Sequence, residues 1–130
     1  MSHLEYIELI NTFSVTIAGH TMNFFAILAA YLVTAFFVGP RLGRFQVWSL
    51  TALYSLFCFF PISTVVSDIY RAGRLADELV HKYPDAAGYY PVEIDVAVLQ
   101  VSLTVIFIAA WVLSIAFMYN VRRNSDATST

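Results

Sequence analysis

The chain has 130 residues, of which 59% are hydrophobic, 16% aromatic and only 12% charged, about half the charged share of an average soluble protein. Too few polar side chains remain to cover a water-soluble fold, so a soluble globular enzyme is nearly excluded and a bilayer is the expected solvent. A net charge of −2, from 7 basic and 9 acidic residues, offers no basic face to nucleic acid, and the single cysteine, Cys58, leaves no disulfide framework and no Cys-rich metal site.

In chain order, the leader Met1–Glu8 carries two acids and no Lys or Arg. The run that follows, Ser14 to Val38, has no formal charge over 25 residues. About 20 apolar residues at ~1.5 Å rise cross a hydrocarbon core of ~30 Å. The run is too long, and its leader too acidic, for a cleaved signal peptide, so it is expected to be a retained first span. Leu4, Ile7, Leu9, Ile10 and Phe13 either extend this helix outward or lie along the interface. Gly39-Pro40-Arg41-Leu42-Gly43-Arg44 follows, with a glycine suited to a C′ position and a proline that cannot continue the helix. The second charge-free run, Phe45 to Ser67, is therefore expected to return antiparallel to the first.

The next segment, Asp68 to Asp95, holds 9 of the 16 formal charges and must leave the hydrocarbon. Within it Ile69, Ala72, Leu75, Ala76, Leu79, Val80 and Tyr83 recur at helical spacing, while Arg74 with Glu78 and Glu78 with Lys82 make i,i+4 pairs on the opposite face. An amphipathic helix ending at Pro84 is expected, either continuing the second span or lying flat on the surface; its mixed charge does not suit a dedicated anionic-lipid anchor. Tyr89, Tyr90 and Pro91 lead back toward a third charge-free run, Val96 to Tyr119. The tail from Val121, with Arg122 and Arg123 at its start, has nothing to bury and is expected to be mobile. The predicted fold class is thus an all-α integral membrane protein, a single membrane domain of three transmembrane helices.

Arg41, Arg44, Arg122 and Arg123 abut short membrane ends on one side. Arg71, Arg74 and Lys82 lie amid acids in the long connection on the other. The positive-inside bias then puts the N-terminus outside and the C-terminus in the cytoplasm of a cell, inner or plasma, membrane.

Polar groups inside the spans are few, because each is costly in hydrocarbon. Thr16, His20, Asn23, Ile27, Ala30 and Thr34 share one face of the first helix, and Gln100, Thr104, Phe107, Trp111, Ser114 and Met118 form a stripe on the third. Small residues at Gly19, Ala26 and Ala30 allow a neighbour to approach. His20 lies ~9 Å, and Gln100 ~12 Å, outward of the centres of their spans, so His20, Asn23, Ser63, Thr64 and Gln100 are expected in one polar layer. Interhelical hydrogen bonding is the plainer role for it; a ligand, proton or ion site is the sharper one. Pro61 should kink the second helix or end its regular part. Trp48, Tyr70 and Tyr119 suit the interfaces, while Trp111 is deep and needs a partner for its indole N–H. Asp68, Glu93 and Asp95 cluster at the outer helix ends, where solvated termini are the plain expectation and a cation-attracting vestibule the alternative.

Catalytic motifs are missing. His3, His20 and His81 do not converge in sequence, no metal-ligand spacing occurs, and there is no nucleophile elbow or phosphate-cradling glycine loop. No enzymatic activity, cofactor or metal is expected. The expected role is a structural, accessory or regulatory subunit that associates with another membrane protein or with itself, using the Thr16–His20–Asn23–Ala30 face and the outer amphipathic segment. A homo-oligomeric channel or holin-like pore is the alternative, followed by a ligand-binding or transport module formed by an oligomer.

Overall fold

A computed structural model describes residues 2–85 and 95–128, with side chains as far as Ser125. Three helices make up the fold: α1 (His3–Phe37), α2 (Arg44–Lys82) and α3 (Val96–Thr128), with a short 3-10 turn at Gly39–Arg41 between the first two. All three are long and apolar enough to cross a membrane. At ~1.5 Å per residue they measure about 52, 58 and 50 Å, so each exceeds a ~30 Å hydrocarbon core by several turns.

The surplus length decides between two pairs of alternatives. The leader joins α1 from His3 onward, because Ser2 and Glu5 form a capping box that starts the helix there. Glu5 Oε2 accepts the Ser2 N–H at 2.6 Å and Ser2 Oγ accepts the Glu5 N–H at 3.4 Å. The amphipathic segment after Asp68 continues α2 without a break to Lys82, and Tyr83 closes it by donating its N–H to the Leu79 carbonyl at 2.8 Å, one residue before Pro84. Helix α3 itself runs on through Val121 to Thr128. An existing helix extends at little cost, since only its first turn must be nucleated.

The turn between α1 and α2 also differs from expectation. Gly39 follows the C-cap residue Val38, yet no glycine among the described residues has positive φ. Its missing side chain serves a close approach instead, because a Cβ there would stand 3.2 Å from Met118 Sδ of α3. Pro40 opens the 3-10 turn, where its missing N–H is no loss. Gln46 then reaches back to accept the Gly43 N–H at 2.8 Å and starts α2. Pro61 does not end that helix: α2 runs through it.

Packing is confined to narrow stripes. Phe24, Tyr31 and Ala35 of α1, Val47, Tyr54, Cys58, Val65 and Ile69 of α2, and Phe107 and Met118 of α3 form one buried cluster. Elsewhere Met22, Phe25, Phe37, Phe45, Trp48, Phe59, Val105 and Leu113 stand exposed, a surface that suits lipid and not water. A second, smaller cluster joins the start of α1 to the end of α2, where Tyr6 and Leu79 are buried among Ile7, Ile10, Leu75 and Tyr83. His3 meets Tyr83 edge to face at 5.8 Å, and Lys82 Nζ lies 5.8 Å from the Tyr6 ring centre. Lys82 thus serves the α1 contact, and the pairings expected among Arg74, Glu78 and Lys82 do not form ion pairs. At the start of α3 a Cβ on Gly73 would come within 2.7 Å of Val96 Cγ1.

That last contact makes Gly73→Ala an overpacking change. It should destabilise the bundle by about 1–2 kcal/mol in spite of the better helix propensity of alanine. Thermal unfolding in detergent measures the loss, and Gly73→Ala with Val96→Ala should recover most of it. A second expectation concerns pH. The Ser2 N–H holds the Glu5 carboxyl, which lies ahead of the Ser14–Val38 run, below its ordinary value of 4.5. A depressed carboxyl contributes stability above its unfolded pKa and loses it as pH falls through the folded one. Amide-exchange protection in the first turn of α1 should therefore hold near neutrality and fall below about pH 4, and Glu5→Gln should remove that pH dependence.

Candidate functional site

Between α1 and α2, a cleft of about 350 Å³ is lined by His20, Asn23, Ala26 and Ile27 on one side and by Phe57, Phe60, Pro61 and Thr64 on the other. Pro61 shapes it. A proline has no N–H to give the Phe57 carbonyl one turn earlier, and both Ser63 Oγ and Thr64 Oγ1 fold back to the Phe60 carbonyl at 2.9 Å. The lip is open, with Asn23, Ala26, Phe57 and Phe60 exposed and His20 and Thr64 half-buried. Thr64 spends its proton within its own helix. His20 and Asn23 make no side-chain hydrogen bond or ion pair to any described residue.

Of the five residues expected in one polar layer, His20, Asn23 and Thr64 line this cleft. Ser63, one residue before Thr64, is exposed, and Gln100 is half-buried outside the cleft, where its backbone carbonyl accepts the Thr104 hydroxyl at 2.7 Å. The face expected on α1 is likewise divided. Ile27 packs against the buried cluster, Ala30 is exposed, and Thr16 and Thr34 hydrogen-bond back to the carbonyls of Thr12 and Ala30.

The outer carboxylates separate in the same way. Asp95 caps α3, its Oδ1 accepting the Ala97 N–H at 2.9 Å, as a carboxylate at the positive end of a helix should. Asp68, expected to be solvated, is 6% exposed, because helix α2 continues past it and turns it inward beside Val65 and Ile69. Among the described residues it accepts no hydrogen bond and meets no basic group. Glu93 lies outside the described residues.

A network that the sequence did not disclose lies toward the other end of the helices. Tyr31 and Tyr54 stack with ring centres 3.9 Å apart and planes 11° apart. The Tyr31 and Thr51 hydroxyls are 2.9 Å apart. Ser114 Oγ donates to the Trp111 carbonyl at 2.7 Å, so Tyr54 must be the donor in its own 2.7 Å contact with Ser114 Oγ. Trp111 Nε1 donates to Ser55 Oγ at 3.1 Å, and Ser55 passes its proton to the Thr51 carbonyl at 2.8 Å. The need of Trp111 for a partner was visible in the sequence; its identity was not. A second opening, of about 250 Å³, is lined by Trp48, Thr51, Ala52, Ser55 and Tyr119.

Neither opening assembles a nucleophile, a base and an orienting group, and among the described residues no three His, Cys, Asp or Glu side chains come together as metal ligands. The arrangement at His20 and Asn23 suits recognition: donors and acceptors left open on an apolar surface. Comparison with known proteins finds no match to a family model, a curated protein or a solved structure.

Asp68 gives this section its prediction. No side-chain oxygen among the described residues is both buried and unpartnered, so the Asp68 carboxylate reaches the surface from a largely covered residue, and Asp68→Asn, which keeps the shape and removes the charge, should change stability by less than about 0.5 kcal/mol. A lowered unfolding midpoint in detergent would show instead that the charge is needed.

Proposed function

We propose that this protein is a three-pass integral membrane protein of a cell membrane that works by helix–helix association, as a structural, accessory or regulatory subunit. The observation that carries this reading is the open cleft at His20 and Asn23. In hydrocarbon an amide or imidazole without a partner is penalised, and interhelical hydrogen bonds are the ordinary remedy, worth about 0.6 kcal/mol each and up to about 1.7. The molecule leaves both groups unsatisfied at an exposed lip, so their partners come from outside the chain.

In this reading α1 and α2 form an antiparallel hairpin through the bilayer. Contacts in support pair early α1 with late α2, Tyr6 with Leu79, and late α1 with early α2, Tyr31 with Thr51 and Tyr54. The contact between Gly39 and Met118 favours placing Arg41, Arg44, Arg122 and Arg123 at one end, which the positive-inside bias makes cytoplasmic, with the N-terminus outside. A pore reading draws on the same cleft, since a lumen in a ring of copies would need outward-facing polar groups.

Native mass spectrometry of the protein extracted from its own membrane in mild detergent tests the proposal. A defined complex, with a companion chain or with further copies, is expected; a strictly monomeric chain would overturn it. Ion leak from liposomes holding the purified protein, reduced by His20→Ala, would move the role from subunit to pore.

A further inference from the structure

One threonine departs from the habit of the others. Thr12, Thr16, Thr21, Thr34, Thr64 and Thr104 each donate the hydroxyl to the carbonyl four residues back, so none keeps a spare proton. Thr51 instead meets Tyr31, hydroxyl to hydroxyl, at 2.9 Å. That pair holds two protons, and the single contact uses only one of them. Tyr31 is 4% exposed and Thr51 half-buried, so the arrangement that leaves no unpaired donor in the core has Tyr31 donating. The Thr51 proton is then without an acceptor among the described residues, and Thr51 lines the opening of about 250 Å³ together with Trp48, Ala52, Ser55 and Tyr119.

Donors and cations surround this opening, and no carboxylate lines it. Trp48 is 71% exposed, and its indole N–H is hydrogen-bonded to no described residue. Arg44 lies one turn before Trp48 on α2, and Arg122 and Arg123 lie one turn after Tyr119 on α3. None of these arginines forms an ion pair with a described residue, and no acid occurs between Glu8 and Asp68 or between Asp95 and Asp126. Along α2, Thr51 stands ~10 Å inward of Arg44. With the guanidinium in a headgroup layer ~5–8 Å deep, that places the Thr51 hydroxyl just inside the hydrocarbon, at the level of the acyl esters.

From this we infer that the opening holds the glycerol esters of an anionic phospholipid, its phosphate against Arg44 and Arg123 and one ester carbonyl accepting the Thr51 proton. A phosphodiester and two esters offer acceptors where the site offers donors. The negative charge selects among lipids, because a zwitterionic headgroup brings a cation of its own toward the arginines. Small Ala52 leaves room for the start of an acyl chain, and the chain continues over the exposed apolar surface beyond. The inference goes beyond helix association and needs only the placement of the spans in a bilayer.

The test titrates the full chain in mild detergent with phosphatidylglycerol or phosphatidylcholine and reads bound lipid by native mass spectrometry. Phosphatidylglycerol should bind about tenfold or more tightly than phosphatidylcholine. Arg44→Gln with Arg123→Gln should weaken phosphatidylglycerol about thirtyfold and leave phosphatidylcholine unchanged. Arg71→Gln with Arg74→Gln, the same loss of charge late in α2, should alter neither. Thr51→Val should weaken both lipids about fivefold, since both carry esters, while Thr51→Ser, which keeps the hydroxyl and its bond to Tyr31, should bind as the wild type does. Should Thr51→Val fail to fold, Ala52→Trp, which fills the opening from an exposed position, takes its place and should abolish both affinities. Equal affinity for the two lipids would overturn the inference. So would a preference that survives Arg44→Gln with Arg123→Gln, one that falls equally in the Arg71→Gln, Arg74→Gln control, or wild-type binding by Thr51→Val or Ala52→Trp. The same spectra keep the two readings apart: selective lipid binding by a strictly monomeric chain overturns helix association and retains the lipid site, whereas a defined complex without lipid selectivity does the reverse.

Discussion

Hydrocarbon supplies no hydrophobic drive between helices, since a lipid tail is as apolar as a leucine. What holds this bundle is therefore a small set of directional contacts. The Tyr31–Tyr54 stack and the two hydroxyl relays that meet at Trp111 tie all three helices together near one level. Each relay ends on a backbone carbonyl. The Phe24–Phe107 edge-to-face contact at 4.7 Å continues the core outward. Around this spine much of the remaining surface is apolar and exposed.

Contrast between the two polar regions defines the molecule. In the hydroxyl network Tyr54, Ser114, Trp111 and Ser55 all donate within the molecule, which makes it a structural device. At the cleft the donors and acceptors of His20 and Asn23 are open, and the helix beside them carries a proline that gives up a backbone bond. The two regions differ in their hydrogen-bond accounting, and that accounting separates what holds the fold from what is left open.

The spans were legible because their signal is local: charge-free runs of more than 20 residues tolerate few other readings. Pro61, the cleft residues His20, Asn23 and Thr64, and the need of Trp111 for a partner were legible for the same reason, since polar groups are conspicuous in apolar runs. Helix ends were less so. Once outside the hydrocarbon, a helix can continue or stop on equal compositional terms, and only the Ser2–Glu5 box and the Tyr6–Leu79 contact decide that it continues. Burial of Asp68, the Tyr31–Tyr54 stack and the exclusion of Gln100 from the cleft all depend on rotation and register between helices distant in sequence, which periodicity within one helix does not encode. Gly39 was read as a conformational residue and proved to be a packing one, a distinction set by Met118, some eighty residues away.

The Tyr6–Leu79 cluster and the Tyr31–Tyr54 stack together have a mechanical meaning. His20 to Ile27 lie between Tyr6 and Tyr31 along α1, and Phe57 to Thr64 lie between Tyr54 and Leu79 along α2. The cleft is thus a gap between two rods pinned at both ends, and the rods cannot splay to widen it without breaking a pin. A binding surface restrained in this way has lost much of its freedom before any partner arrives, so association forfeits less entropy than it would on an unbraced hairpin. The extra turns by which α1 and α2 exceed the thickness of a hydrocarbon core keep its mouth at a fixed width.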